Sequence, residues 1–162
     1  MIRRPSPPLD MLVVEDEPLI AVDIEMLIED AGHRVMATAA SLRQVEGLPS
    51  GERPDVAFVD MQLAENSTGI DVNRLIQERW PETVVVFVTA NPKKIPDDFD
   101  GAHGVISKPF SSLGFTAAIK YLQEALCEPP PVSSMPGSFI ASDRIAALWT
   151  KHMAGNRGGS DA

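Results

Sequence analysis

The chain has 162 residues, a length that suits one folded domain with an appendage better than two domains. Its 14 basic and 23 acidic side chains give a formal net charge of −9, which argues against direct binding to nucleic acid. No apolar run approaches the roughly 20 residues that cross a bilayer, and no apolar stretch of a secretory signal follows the first residues. We therefore expect a cytoplasmic protein without a membrane partner.

Short apolar runs alternate with helical patterns between Leu9 and Cys127, which predicts an α/β domain with a parallel sheet and crossover helices. Five of these runs are rich in valine, as strands covered on both faces tend to be. They are residues 11–14, 35–39, 56–59, 84–88 and 104–106. The predicted fold is a five-stranded, doubly wound parallel sheet of the flavodoxin-like type.

Helical patterns follow four of the strands, and start or stop signals such as Pro18, Gly32, Ser41 and Pro81 mark the first three. These helices are predicted at residues 18–31, 42–47, 69–80 and 112–127. Between residues 91 and 100, two prolines remove backbone donors and no helical period survives. We expect a degenerate fourth crossover there, either a loop or one distorted turn.

The region after the predicted domain, residues 9–127, changes character. Four prolines predict an extended linker at residues 128–138. In the tail, residues 139–162, a short amphipathic helix would align Ile145, Leu148 and Trp149 before a glycine-rich, disordered end. Two interpretations stay open, a solubilising end and a docking helix that covers the domain itself, pairs two protomers or binds a partner.

Polar side chains stand at the carboxyl ends of four predicted strands, where ligands bind in open parallel sheets. They are Glu15, Asp16 and Glu17 after the first strand, Asp60 after the third, Thr89 after the fourth and Lys108 after the fifth. Crowded carboxylates repel one another unless a cation lies among them, and magnesium prefers oxygen ligands. We expect a magnesium site of Asp16 and Asp60, with Glu15 acting through water and the Gln62 backbone carbonyl completing the shell.

The same side chains also have simpler explanations. The acids from Glu15 to Glu17 can cap the first helix, and Asp60 can form a turn. Considered alone, Thr89 is explained as a hydroxyl at the end of a strand and Lys108 as a solvated lysine. Their joint placement favours phosphoryl chemistry, with Asp60 as the nucleophile and with Thr89 and Lys108 binding phosphoryl oxygens.

Two other residue types carry no predicted chemistry. Cys127 is the single cysteine, so it forms neither an internal disulfide nor a thiolate metal site. His33, His103 and His152 have no ligand spacing among them, and we expect all three at the surface.

Four short motifs occur in one order along the chain. They are VVEDEP at residues 13–18, VDM at 59–61, VTA at 88–90 and SKPF at 107–110. Over residues 9–127 this arrangement resembles the receiver domain of response regulators in two-component signalling. The resemblance implies that Glu15 and Asp16 hold magnesium, that Asp60 is phosphorylated, and that Thr89 and Lys108 contact the phosphate. It also implies a cis peptide bond before Pro109.

One position departs from the common receiver pattern. Many receivers have tyrosine or phenylalanine three residues before the lysine, where this chain has Val105. We expect Phe87 or Phe110 to take the role of that aromatic switch. With the interrupted fourth crossover and the Gln62-Leu63-Ala64 turn, the chain looks like receivers of alphaproteobacterial general stress regulators and their stand-alone relatives.

These observations predict a single-domain response regulator that is not an enzyme beyond slow self-dephosphorylation. It would take its phosphoryl group from a histidine kinase or histidine phosphotransfer protein and act on an unidentified downstream protein. A phosphate sink without output and a pseudo-receiver that is not phosphorylated are the alternatives. A haloacid-dehalogenase-like phosphatase is disfavoured because it needs an acid at Gln62, and a flavodoxin-like cofactor binder because Glu15 to Glu17 would repel its phosphate.

Overall fold

The computed structural model describes residues 7–148, which are built around a six-stranded sheet. The strands are β1 (Asp10–Val14), β2 (Arg34–Ala39), β3 (Val56–Asp60), β4 (Val84–Thr89), β5 (Gly104–Ser107) and β6 (Phe139–Ala141). Their order across the sheet is β2-β1-β3-β4-β5-β6. The first five strands are parallel, as predicted, while β6 pairs antiparallel with β5 and is a strand that the sequence pattern did not reveal.

Four helices cross over between or after the parallel strands. They are α1 (Pro18–Asp30), α2 (Leu42–Glu46), α3 (Gly69–Arg79) and α4 (Ser112–Cys127). The hydroxyls of Ser41, Thr68 and Ser111 each accept a hydrogen bond from a backbone N–H in the first turn of α2, α3 and α4. Each cap satisfies a donor that the helix itself leaves unpaired, which fixes where these helices begin.

Alternate strand residues point to two separate cores, which is the doubly wound arrangement. On β1, Met11 and Val13 pack with α1 and α4, whereas Leu12 and Val14 pack with α2 and α3. All six residues of β4 are buried. Because full burial of one valine contributes roughly 1.5–3 kcal/mol, the central strands hold the most stable part of the sheet.

Two short 3₁₀ turns stand where a fourth crossover helix would be, at Pro92–Lys94 and Phe99–Gly101. The second turn is held against α3, because the side-chain amides of Asn73 and Gln77 donate to the Asp100 carbonyl at 2.9 and 3.0 Å. Asp100 itself has a positive φ of 49°. The predicted degenerate crossover is therefore confirmed, and it is tied down by side-chain hydrogen bonds.

The segment after α4 returns to the sheet. Residues 128–138 contain no helix or strand, and the Glu124 carboxylate accepts two hydrogen bonds from Ser133, at 2.9 and 3.0 Å, which hold this linker to α4. β6 then pairs with β5, and Phe139 is buried. Residues 139–148 thus share the sheet and core of the preceding domain.

The described part of the predicted tail helix covers residues 143–148. Ile145 is buried in the core to which α1 and α4 contribute, and Leu148 packs against that core. Trp149, the third residue of the predicted docking face, lies outside the described residues. Within residues 7–148, no helix combines the length and the apolar character needed to cross a membrane.

The surface location expected for the histidines is wrong for the two that the structure describes. His33 and His103 are buried, with 7% and 3% of their surface exposed. Each imidazole Nδ1 accepts a backbone hydrogen bond, from Leu9 N–H at 3.0 Å and from Val85 N–H at 3.1 Å. Burial lowers the pKa of both side chains, so both are neutral structural acceptors at pH 7.

Candidate functional site

A cavity of about 270 Å³ opens at the carboxyl ends of the central strands. Six of the residues singled out from the sequence line it, namely Asp16, Glu17, Asp60, Gln62, Thr89 and Lys108. They arrive on four different chain segments, and the parallel sheet brings these segments to one edge.

Asp60 is the last residue of β3, and its side chain is 14% exposed. One carboxylate oxygen, Oδ1, accepts a hydrogen bond from the Met61 N–H at 2.7 Å. The other, Oδ2, lies 3.4 Å from the Lys108 ammonium. The carboxylate is therefore held by its own backbone on one side and faces a cation on the other.

Gly69 lies directly against the backbone of Asp60, although nothing in the sequence assigned it to the site. A Cβ atom at this position would lie 2.4 Å from the Asp60 carbonyl oxygen. The Gly69 N–H donates to the Met61 carbonyl at 2.9 Å, and Gln62 pairs with Thr68. This tight return of the chain fixes the backbone around Asp60 and Gln62.

Three carboxylates meet beside the cavity. Glu15, Asp16 and Asp60 each offer an oxygen atom, and these oxygens all lie within 4.8 Å of one another. Burial, with a smaller effect of the neighbouring Asp60 carboxylate, raises the pKa of Glu15 from 4.5 to about 7, although Lys108 opposes the shift. Burial and the neighbouring carboxylate therefore disfavour the charged form of Glu15 in the absence of a cation.

Lys108 follows β5 and reaches back to this acidic cluster. Its ammonium donates to Glu15 Oε1 and lies 3.4 Å from Asp60 Oδ2, with 13% of its side chain exposed. Burial by itself would lower the pKa of Lys108, but the hydrogen bond to Glu15 and the charge of Asp60 raise it overall. The ammonium stays charged. The following peptide bond, to Pro109, is cis, in agreement with the expectation.

Thr89 ends β4 and is 3% exposed. Its hydroxyl oxygen accepts a hydrogen bond from the Asn91 N–H at 3.0 Å, which leaves the O–H free to donate into the cavity. Of the two aromatic residues considered as switches, Phe87 is buried opposite Val105 on β5. The ring of Phe110 packs against the ring of Phe115 on α4, with ring centroids 4.8 Å apart. A switching role for either one stays a prediction.

Residues 11–120 match the family model of the response regulator receiver domain. The chain belongs to this family. The matched residues include all the site residues described above, from Glu15 to Lys108.

Curated relatives of this receiver domain include regulators and a sensor protein. The phyllosphere-induced regulator PhyR of Methylorubrum extorquens is 36% identical over 113 residues, which are 68% of this chain and 42% of that protein. The aerobic respiration control sensor protein ArcB of Escherichia coli is 32% identical over 121 residues, which are 72% of this chain and 15% of ArcB. The chain thus spans less than half the length of these two relatives.

Solved structures show the same fold. The solution structure of the Erythrobacter litoralis PhyR receiver domain aligns with a TM-score of 0.64 and 28% identity, covering 78% of this chain and 97% of that one. The crystal structure of the anti-anti-sigma factor PhyR from Bartonella quintana aligns with a TM-score of 0.62 and 26% identity, covering 94% and 52%. The receiver fold inferred from the sequence is therefore confirmed.

The acidic cluster of this receiver fits a hard divalent cation. Its donors are carboxylate oxygens, which magnesium prefers, and Gln62 lines the same cavity. The oxygens of the three carboxylates lie within 4.8 Å of one another, and a divalent cation would relieve the repulsion among them. The chemistry of the donor set therefore agrees with the metal that the resemblance implies.

Proposed function

We propose that this receiver domain accepts a phosphoryl group on Asp60 and passes the signal on by contact with another protein. One observation carries the proposal. The Asp60 carboxylate faces an open cavity, 3.4 Å from the ammonium of Lys108 and within a cluster of three carboxylates. Carboxylates in such surroundings act as nucleophiles that form covalent phosphoaspartate.

In the transfer, an oxygen of the Asp60 carboxylate attacks the phosphorus of a phosphohistidine. A P–O bond forms to Asp60 while the P–N bond breaks, and the imidazole nitrogen keeps the electron pair and later takes a proton. Lys108 is near enough to bind the transferred phosphoryl oxygens, and the Thr89 hydroxyl can donate to them. Water later attacks the phosphorus of the acyl phosphate, which gives slow self-dephosphorylation and no other enzymatic activity.

Glu15, Asp16, Asp60 and the backbone carbonyl of Gln62 are the groups proposed to hold magnesium, with Glu15 acting through water. When bound, magnesium supplies positive charge that offsets the carboxylates and the phosphoryl oxygens. The fold places these carboxylates together, because Glu15 and Asp16 follow β1, Asp60 ends β3, and these two strands are neighbours in the sheet. Lys108 adds the remaining positive charge from β5.

The phosphodonor is proposed to be a histidine kinase or a histidine phosphotransfer protein. Helix α1 begins beside the cavity and presents three exposed apolar side chains at helical spacing, Leu19, Val22 and Met26, which are 82%, 47% and 56% exposed. Such a stripe suits a helical partner. Because the Bartonella quintana relative is named an anti-anti-sigma factor, an anti-sigma factor is the first class of downstream protein to try.

Intact mass spectrometry after incubation with acetyl phosphate tests the proposal. We expect a labile gain of about 80 Da, one phosphoryl group, that needs magnesium and disappears in Asp60→Asn. Asp23→Asn is the matched control, because Asp23 is an exposed carboxylate on α1 outside the cavity lining. A gain that persists in Asp60→Asn would refute Asp60 as the acceptor, and no gain in the wild type would point to a pseudo-receiver.

A further inference from the structure

The turn that follows Thr89 places a second lysine on the site cavity. Lys94 lines the cavity together with Asp60 and Lys108, although it belongs to none of the four sequence motifs. Its neighbour Lys93 belongs to the same 3₁₀ turn, is also exposed, and does not line the cavity. The two adjacent lysines therefore differ in their relation to the site.

The position of Lys94 is fixed by its backbone. The turn begins at Asn91, whose N–H donates to the Thr89 hydroxyl at 3.0 Å and whose carbonyl accepts from the Lys94 N–H at 3.0 Å. It ends at Ile95, which is buried in the core beneath α3 and donates its N–H to the Pro92 carbonyl. The site threonine on one side and a core residue on the other thus hold this turn.

The charges around the cavity indicate a role for Lys94 in binding an anion. A phosphodonor is an anion, and the carboxylates of Asp16, Glu17 and Asp60 on the cavity repel it. Lys108 is largely buried and already engaged with Glu15 and Asp60. Lys94 is exposed, so its ammonium is free to meet an anion that arrives from solvent.

We propose that Lys94 binds the incoming phosphoryl group at the mouth of the cavity and so determines how well small acyl phosphates serve as donors. This inference rests on the proposed function of Asp60. With acetyl phosphate, an Asp60 oxygen attacks the phosphorus, the P–O bond to the acetyl group breaks, and acetate leaves with the electron pair. Lys94 keeps its proton throughout, so it is a positioning residue.

The test compares the initial rates of mass gain for Lys94→Gln and Lys93→Gln across acetyl phosphate concentrations at constant saturating magnesium. We expect Lys94→Gln to react about fivefold more slowly at low donor concentration and low ionic strength, with an unchanged limiting rate. The deficit should shrink as added salt screens charges, and Lys94→Arg should restore the rate. Lys93→Gln should match the wild type.

The outcomes separate the two proposals. If the wild type and Lys93→Gln are phosphorylated and Lys94→Gln reacts equally fast at all salt concentrations, the role of Lys94 is refuted while that of Asp60 stands. A lower limiting rate together with a lower melting temperature would also refute it, because that pattern indicates a structural defect. If the wild type gains no mass, the function proposed for Asp60 fails, and the inference fails with it.

Discussion

The ring of Phe139 lies directly over the α-carbon of Gly104, so the added strand β6 depends on a recess in β5. A Cβ atom on Gly104 would lie 2.5 Å from two atoms of that ring. Phe139 also packs against Tyr121 of α4, with ring centroids 5.7 Å apart. β6 is thus joined to the strand that leads into Lys108.

Gly104→Ala should destabilise the protein by about 1–3 kcal/mol, because the new methyl group overpacks the recess filled by Phe139. In a Phe139→Ala background the same substitution should cost less, so the double-mutant cycle should show coupling of about 1 kcal/mol. Urea unfolding of the four variants measures this. Gly137→Ala is the control, because a Cβ there meets no atom within 4 Å. Additive free energies would contradict the packing of β6 on β5.

Ile145→Ala should lower the free energy of unfolding by about 2–5 kcal/mol, because Ile145 is 2% exposed within the main core. Ile140→Ala is the comparison on the neighbouring strand, since Ile140 is 51% exposed and should cost under about 1 kcal/mol. Urea unfolding followed by circular dichroism gives both values. Equal, small effects would mean that residues 139–148 detach from the domain in solution.

The parallel strands and helices could be predicted because their signals are local. Valine-rich runs mark strands that are covered on both faces, and capping residues mark the helix starts. β6 could not be predicted, because Phe139–Ala141 is three residues long and its pairing with β5 depends on a recess at Gly104. Likewise, nothing local to His103 shows that its ring accepts a hydrogen bond from Val85.

The candidate site, like the fold, could be predicted from the sequence only in part. Its residue types could be located because the carboxyl ends of parallel strands meet at one edge. The pairing of Lys108 with Glu15 joins residues 93 apart in sequence and needed the structure. So did the closeness of Gly69 to Asp60 and the position of Lys94, because both depend on how a turn packs.

Magnesium should raise the melting temperature of the wild type, because a ligand that binds the folded state stabilises it by about 2.7 kcal/mol at 100 times its dissociation constant. Asp16→Asn and Asp60→Asn should lose this increment. Their melting temperatures without magnesium should not fall, because removing one of three carboxylates whose oxygens lie within 4.8 Å of one another relieves the repulsion among them. Differential scanning fluorimetry with and without magnesium measures all of these values.

Asp23→Asn serves again as the control, since it removes an exposed acid from α1, the helix that follows Asp16. It should keep the full magnesium increment. An increment that survives in both Asp16→Asn and Asp60→Asn would place the bound ion elsewhere on this acidic chain, and would leave the acidic cluster without a metal role.

His103 should make stability depend on pH. Burial, with the nearby charge of Arg144, lowers its pKa from 6.5 to about 4. Between these values the unfolded chain binds a proton that the folded protein does not, so the free energy of unfolding falls as pH falls. Above pH 6.5 this contribution is fully present, and at 1.36 kcal/mol per pKa unit its loss approaches about 3 kcal/mol.

His103→Asn isolates this effect, because asparagine offers Val85 N–H an acceptor and does not titrate. The carboxylates and His33 contribute equally to both proteins, so they cancel in the difference. Urea unfolding across the window from pH 6.5 down to about 4 should show the wild type losing stability faster than the variant. Parallel curves would mean that the imidazole is protonated in the folded state, and Val85 N–H would then need another acceptor.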